Sequence, residues 1–428
     1  MTPQVYDMIA RTSIERISHL TTKALPYFED HDAMILYDMD VLRDRVEGLI
    51  EAFPDDTIHA IAMKANPLDE ALKFFKGYNL GLEVASSAEM YIASANDFPG
   101  NKIVYNSPAK TRREIAYALE QGYQINADSF HELERIAEIY PTQKTKSNIG
   151  IRVNPQTGSG HIESTSVATA YSKFGIPINI FRKEIIEAYK EHSFLNTIHL
   201  HIGSQGMPLD QLLFATSIIY DLAEYINHQI GGQQIKLFNI GGGLPVSYRY
   251  KKKAINMIDY AALLKQDIPG LFTSRYQLVT EYGRYINANA AVAISKVEYV
   301  KDFYSKKIAS IHFGADLLLR ECYNPFDWYH EISVLDKNGN VKTGKDEIPY
   351  DIAGPLCFSG DIIAKDLTLP QLEEGDFIVV HDVGAYTLGM WSRYNSRQMP
   401  LVLGADGDGL IVMKNKETVE ELHQFWQL

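Results

Sequence analysis

Two rhythms of apolar and polar positions divide this chain. From about residue 33, short apolar runs are each followed by a loop of polar or glycine residues and then by a stretch with apolar side chains three and four positions apart. The apolar runs cover residues 33–37, 58–63, 82–84, 103–105, 124–126, 149–153, 198–202, 237–240 and 277–280, with helix-like stretches at 69–75, 112–120, 131–139, 181–191, 209–226 and 260–266. Eight or so such βα units in about 250 residues predict a (β/α)8 barrel, a fold whose functional residues sit at the C-terminal ends of the strands. A doubly wound parallel sheet has the same periodicity and is the competing architecture. After about residue 290 the rhythm changes to short β-type runs separated by turn signals, among them Asp336-Lys337-Asn338-Gly339-Asn340 and Glu373-Glu374-Gly375-Asp376. This predicts a β-sandwich or Greek-key β domain, closed by a helix-like stretch at 417–427. The barrel is expected over 38–290, with 1–37 joining 291–428 in the β domain. No low-complexity linker separates the two, so tight packing is expected.

Length and composition narrow the partners. A chain of 428 residues, 46% apolar, is too long for one ordinary domain. A net charge of −13 disfavours nucleic acid and anionic membrane surfaces, both of which need basic patches, and favours a small molecule. No run approaches the roughly 20 apolar residues that span a bilayer, and the start from Met1 to Arg11 lacks the pattern of a secretory signal, so a cytoplasmic location is expected. The two cysteines, Cys322 and Cys357, allow at most one disulfide and form no zinc motif.

Candidate chemistry lies where strand-like runs end. Lys64 follows the run 58–63, which would set its amine at a barrel mouth over apolar neighbours; such desolvation lowers a lysine pKa and favours imine formation, although a lysine at a strand end is also an ordinary surface residue. Gly241-Gly242-Gly243 directly follows another run, so bare backbone amides can approach a phosphate, or the glycines simply make a tight turn. Glu281-Tyr282-Gly283-Arg284 offers a carboxylate for a cofactor's ring nitrogen, or an ion-paired glutamate. His199 and His201 alternate on one strand and share a face, as cofactor contacts or barrel-interior histidines; no H-E-x-x-H and no third ligand supports a metal. Gly354-Pro355-Leu356-Cys357-Phe358-Ser359-Gly360-Asp361 holds a thiol in a glycine-bounded turn, either a proton donor or a small buried hydrophobe, and Gly384-Ala385-Tyr386 makes a second turn.

Taken in order, these segments resemble the fold-type III pyridoxal-phosphate decarboxylases, the group of diaminopimelate, ornithine and carboxynorspermidine decarboxylases, and are closest to the diaminopimelate pattern. The resemblance covers nearly the whole chain through Ala62-Met63-Lys64-Ala65-Asn66, Glu83-Val84-Ala85-Ser86-Ser87-Ala88-Glu89, Ser172-Lys173-Phe174-Gly175, His201-Ile202-Gly203-Ser204, Gly241-Gly242-Gly243, Glu281-Tyr282-Gly283-Arg284, Cys357 with Asp361, and Gly384-Ala385-Tyr386. It implies pyridoxal 5′-phosphate as cofactor, carried by Lys64 as a Schiff base, with Glu83 beside it, His201 stacked on the pyridine and Glu281 on the ring nitrogen. Ser204, Gly241, Gly242, Gly243 and the Gly283-Arg284 loop would hold the phosphate, with Tyr386 nearby. It further implies a homodimer with shared sites, in which Cys357 of one chain protonates the carbon left by carbon dioxide in the other.

For the substrate, Arg284, Arg320 and Tyr323 resemble the residues that hold the distal carboxylate of diaminopimelate, a task suited to a bidentate arginine. Phe358 stands where those enzymes have a glutamate that meets the distal ammonium, and where ornithine decarboxylases have an aspartate. An apolar ring cannot offset that charge, at a cost on the order of 2 kcal/mol. With Asp361 in the same turn and Glu163 a possible amine partner, two readings stand: a diaminopimelate-type decarboxylase, or one acting on a carboxylate-bearing conjugate such as a siderophore precursor or on a basic D-amino acid. Glu281 and Cys357 speak against a racemase, and the β domain against a cofactor carrier protein.

Overall fold

The computed structural model describes residues 11–249, 254–344 and 347–427. The segment read for a secretory signal lies outside them except for Arg11, as does the first part of the expected N-terminal β-domain segment. Eight parallel strands form a closed ring in chain order: Ile58–Ala62, Gly81–Val84, Ile103–Tyr105, Gln124–Ala127, Ile149–Asn154, Leu195–His199, Leu237–Asn239 and Gln277–Thr280. The last pairs with the first through Val279 and Thr280 against Ile58 and His59, and Gln124–Ala127 pairs with Ile149–Asn154. Closure excludes the doubly wound alternative. Helices follow the strands, half of them with side-chain caps; Ser86, Thr111, Ser129 and Asn256 each accept from a backbone N–H of the first turn.

Strand periodicity explains how the barrel is filled. One layer of its interior is the small apolar cluster Ala60, Val104, Leu237 and Val279. Two residues further along each strand, on the same face, stand Ala62, Asn106, Asn239 and Glu281. The same step on the other four strands leads from Gly81 to Glu83, Gln124 to Asn126, Gly150 to Arg152 and Thr197 to His199. A buried polar layer therefore caps the apolar one at the C-terminal end of the barrel.

The run 33–37 is not a barrel strand. Ala33–Asp38 lies antiparallel to Ala291–Lys296 and parallel to Leu401–Asp406, within a six-stranded mixed sheet completed by Ile332–Leu335, Phe377–Val380 and Gly409–Lys414. The helix Ile14–Ala24 packs Ile17, Leu20 and Ala24 on this sheet together with Phe28, Leu335, Phe377 and Leu403. A second sheet holds Tyr299–Asp302, Lys307–Ser310, Glu347–Ala353 and Ile362–Pro370. The closing helix is Val419–Phe425, shorter than its apolar pattern because a capping box between Thr418 and Glu421 sets its start. One hydrophobic core runs from the barrel into the β domain, joining Tyr282 and Ile286 to Phe313, Tyr350 and Val383.

Candidate active site

A cavity of about 480 Å3 opens at the C-terminal mouth of the barrel, and Lys64, Glu83, His199, His201, Ser204, Gly243, Glu281, Gly283, Arg284, Arg320 and Tyr386 all line it. Lys64 sits in the 3-10 turn Met63–Ala65 that ends its strand, with Nζ 2.5 Å from Glu83 Oε2. The cavity wall withdraws water from the ammonium, which alone lowers its pKa, but the Glu83 carboxylate outweighs this and holds it above the usual lysine value. The expectation of a lowered lysine pKa is thus corrected: the partner charge decides, and the amine is held as an ammonium.

Glu281 is surrounded by donors. Its Oε1 accepts from Asn106 Nδ2 and Asn239 Nδ2, each at 2.7 Å, and its Oε2 lies 3.5 Å from His199 Nε2. Burial pushes the carboxyl up, yet His199, His201 and Lys64 hold it well below the ordinary range. His201 is lowered to about 3, first by burial and then by the nearby Arg152 guanidinium, so its ring is neutral near pH 7. His201 Nδ1 accepts from the Gly242 N–H at 3.1 Å, and the Gly241 N–H donates to Asn239 Oδ1 at 2.9 Å. Two of the three glycine amides are therefore committed inside the protein. Gly243, with φ +108, must be glycine because a Cβ would meet the Gly203 carbonyl oxygen.

Two arginines close the opposite end. Arg284 donates from Nε to Ser204 Oγ at 3.0 Å and from Nη1 to the Tyr248 hydroxyl at 2.5 Å. The Arg284 and Arg320 guanidiniums lie over the Tyr386 ring at 4.5 and 4.9 Å and over Trp328 at 5.0 and 4.4 Å. Neither forms an ion pair with a carboxylate among the described residues, and Arg320 Nη1 is buried with no hydrogen-bond partner there. Tyr386 has φ +60, an uncommon conformation for a non-glycine residue that its backbone N–H to Ala65 O bond of 2.9 Å holds in place.

Comparison with known proteins decides what this arrangement belongs to. Residues 40–288, more than half of the chain, match the family model for the pyridoxal binding domain of pyridoxal-dependent decarboxylases. The chain belongs to this family. The decarboxylase is 31% identical to the diaminopimelate decarboxylase of Archaeoglobus fulgidus, covering 89% of this chain and 90% of that one, and 30% identical to that of Aquifex aeolicus, covering 90% of each. Among solved structures it superposes on the Helicobacter pylori diaminopimelate decarboxylase complexed with L-lysine with a TM-score of 0.82, at 30% identity over 94% of this chain and 98% of that one. It is an amino-acid decarboxylase that uses pyridoxal phosphate.

The residues present fit that cofactor: an amine, a carboxylate in a dry barrel, a neutral imidazole, and two guanidiniums, one with an orphaned buried nitrogen, facing one cavity. The decarboxylase does not bring every expected residue to it. Cys357, Phe358, Tyr323 and Asp361 are not among the lining residues. Cys357 is exposed, with its N–H on Asn395 Oδ1 at 2.8 Å and its carbonyl accepting from the Tyr394 hydroxyl at 3.2 Å, so it is no buried hydrophobe. Phe358 stacks on Tyr323 at 5.6 Å between centroids. Asp361 is buried and accepts from the Ala315 and Leu356 N–H groups, each at 2.7 Å, filling space that a side chain at Gly314 or Gly354 would need. Its carboxylate is committed to holding the turn. Glu163 is exposed and does not line the cavity, although its neighbours Ser164 and Thr165 do.

Sequence reasoning missed Asn106, Arg152, Asn239, Tyr248 and Trp328. The first three carry a readable signal, a polar residue in register with the last inward position of a barrel strand. Tyr248 and Trp328 lie in irregular segments where no periodicity marks them.

Proposed function

We propose that this enzyme removes the α-carboxylate of a diaminopimelate-type substrate, releasing carbon dioxide and a basic amino acid, in a homodimer whose sites combine residues of both chains. The observation that carries the substrate reading is the pair Arg284 and Arg320, two guanidiniums side by side over Tyr386 and Trp328 with no ion-paired carboxylate among the described residues. Two fixed forks with free donors suit a carboxylate at the far end of an amino acid. Several relatives act on diaminopimelate, and the Helicobacter pylori structure holds L-lysine.

Bound pyridoxal phosphate supplies the electron sink for the pair left behind when carbon dioxide departs. Lys64 carries the cofactor, and Glu83, 2.5 Å from its amine, takes up the ammonium proton that must leave before the nitrogen can act as a nucleophile. Glu281, held ionised, would pair with the ring nitrogen, the neutral His201 would pack on the ring, and Ser204, Gly243 and the Gly283-Arg284 loop would hold the phosphate. The proton that replaces the carboxylate comes from Cys357. Because Cys357 is exposed and outside the cavity of its own chain, it serves the partner chain's site. The exposed ring of Tyr323, stacked on Phe358 next to Cys357, is surface that such an interface would bury.

The test is the absorbance spectrum of the purified protein and of Lys64→Ala, with carbon dioxide release and product mass spectrometry over meso-diaminopimelate, basic D-amino acids and carboxylated conjugates. A band near about 420 nm that disappears in the variant, with lysine formed from meso-diaminopimelate, is expected. Turnover of only a conjugate or a D-amino acid overturns the substrate reading. A band that persists in Lys64→Ala overturns the role of Lys64.

A further inference from the structure

Glu281 could hydrogen-bond a ring nitrogen with either oxygen, as a carboxylate or as a carboxylic acid, and the chemistry differs between them. A pyridine ring that keeps the shared proton withdraws electrons; one that has lost it to the glutamate does so weakly. Three side chains from neighbouring strands bear on that choice. Asn106 Nδ2 and Asn239 Nδ2 both donate to Oε1 at 2.7 Å. The orientation of the Asn239 amide is fixed from behind. Asn239 Oδ1 accepts the Gly241 backbone N–H at 2.9 Å, a donor that cannot reverse its role, so Asn239 must present its NH2 to the glutamate. Asn106 Oδ1 accepts from Asn126 Nδ2 at 3.0 Å, so the two amides form a series of donors that ends on the carboxylate. All three asparagines are buried, and they stand in the polar layer directly above the apolar filling of the barrel.

From this we infer that Asn106 and Asn239 are positioning residues for Glu281, with Asn126 behind Asn106. They occupy Oε1 with two donors and so leave Oε2 as the oxygen that meets the cofactor ring. Two donors on one oxygen stabilise the carboxylate over the acid, which keeps the proton of the Glu281–ring pair on the ring nitrogen. The low dielectric of the barrel makes the effect large, because no water replaces a lost amide there. This inference rests on the proposed pairing of Glu281 with the ring.

The experiment uses holoenzyme reconstituted with pyridoxal phosphate labelled with 15N in the ring, whose chemical shift reports whether the nitrogen is protonated. Wild type, Asn106→Leu, Asn239→Leu and the double variant are compared at pH 7.5, with Glu281→Gln as the reference. In the asparagine variants the shift is expected to move from the pyridinium towards the neutral pyridine value, most in the double variant, with kcat lowered at least about tenfold per amide and KM little changed. A merely structural role lowers the melting temperature and cofactor affinity but leaves the shift of the bound ring at its wild-type value, and that result overturns the inference. Where a leucine variant does not fold, the smaller Asn106→Ala and Asn239→Ala give the same readout. If Glu281→Gln itself keeps a protonated ring, the pairing of Glu281 with the ring is wrong, whatever the asparagines do.

Discussion

The mouth of the barrel and the turn around Cys357 treat their polar groups in opposite ways. In the polar layer around Lys64, charged groups have partners on neighbouring strands: Glu83 for the lysine, two amides for Glu281, Asp128 for Arg152. Glu83, Glu281, Asp128 and Arg152 are buried and Lys64 faces the cavity, so their charge states are set largely by one another. At the turn, one buried carboxylate, Asp361, holds the backbone, and Cys357 is exposed. The polar layer of the first region is built from residues of one chain. The second presents its thiol to the surface, as the proposed role of Cys357 in a partner chain's site requires.

The sharpest way to break this contrast is to remove the thiol. Cys357→Ala is expected to lower kcat by about a hundredfold to ten-thousandfold, the range for a lost proton donor, while the absorbance of the bound cofactor stays unchanged. Co-expressing it with Lys64→Ala separates a shared site from a self-contained one. Randomly paired dimers would contain one intact composite site in half of the molecules and so regain about a quarter of wild-type turnover. No recovery in mixed dimers, with both variants folded, would show that Cys357 serves its own chain.

A smaller effect belongs to the arginine end of the cavity. Arg320→Leu removes a guanidinium with an unpartnered buried nitrogen, and kcat/KM for a substrate with a distal carboxylate should fall roughly tenfold to a hundredfold, chiefly through KM. For an amino acid without that carboxylate the same variant should change little. An equal loss on both kinds of substrate would mean that Arg320 supports the fold or the cofactor instead.

What could be read from the chain follows the same division. The barrel was legible because its strands are short apolar runs with a fixed period, and Lys64, Glu83, His201 and Glu281 because each stands just where such a run ends. The strand Ala33–Asp38 has the same pattern yet pairs with Ala291–Lys296, since periodicity marks a buried strand and not its neighbours. Asn106 and Asn239 passed unnoticed, as asparagine at a strand end also reads as a turn residue; only the two-residue step from Val104 and Leu237 assigns them to the interior. The committed carboxylate of Asp361 and the contact of Trp328 with both arginines depend on irregular loops brought together from distant parts of the chain. No local pattern encodes such meetings.

The finest test of the contrast is thermodynamic. His201 has its pKa depressed from 6.5 to about 3, because burial disfavours the imidazolium and Arg152 repels it. The unfolded chain takes up a proton at this histidine below about 6.5 while the native state resists until about 3. The stabilisation it contributes is therefore fully present above pH 6.5 and is lost as the pH falls through that window. Replacing His201 by phenylalanine keeps a ring of similar size without the titration. In the cofactor-free protein, urea unfolding between pH 4 and 7 should then show a flatter profile than wild type, by at most about 1.4 kcal/mol per pH unit. His59, lowered to about 4 by burial, remains in both proteins and cancels in the difference. Cys357→Ala, at an exposed position, should run parallel to wild type over the same range. A His201→Phe profile that is also parallel would mean that the imidazole reaches water at the barrel mouth, and the supposed dryness of that region would not hold.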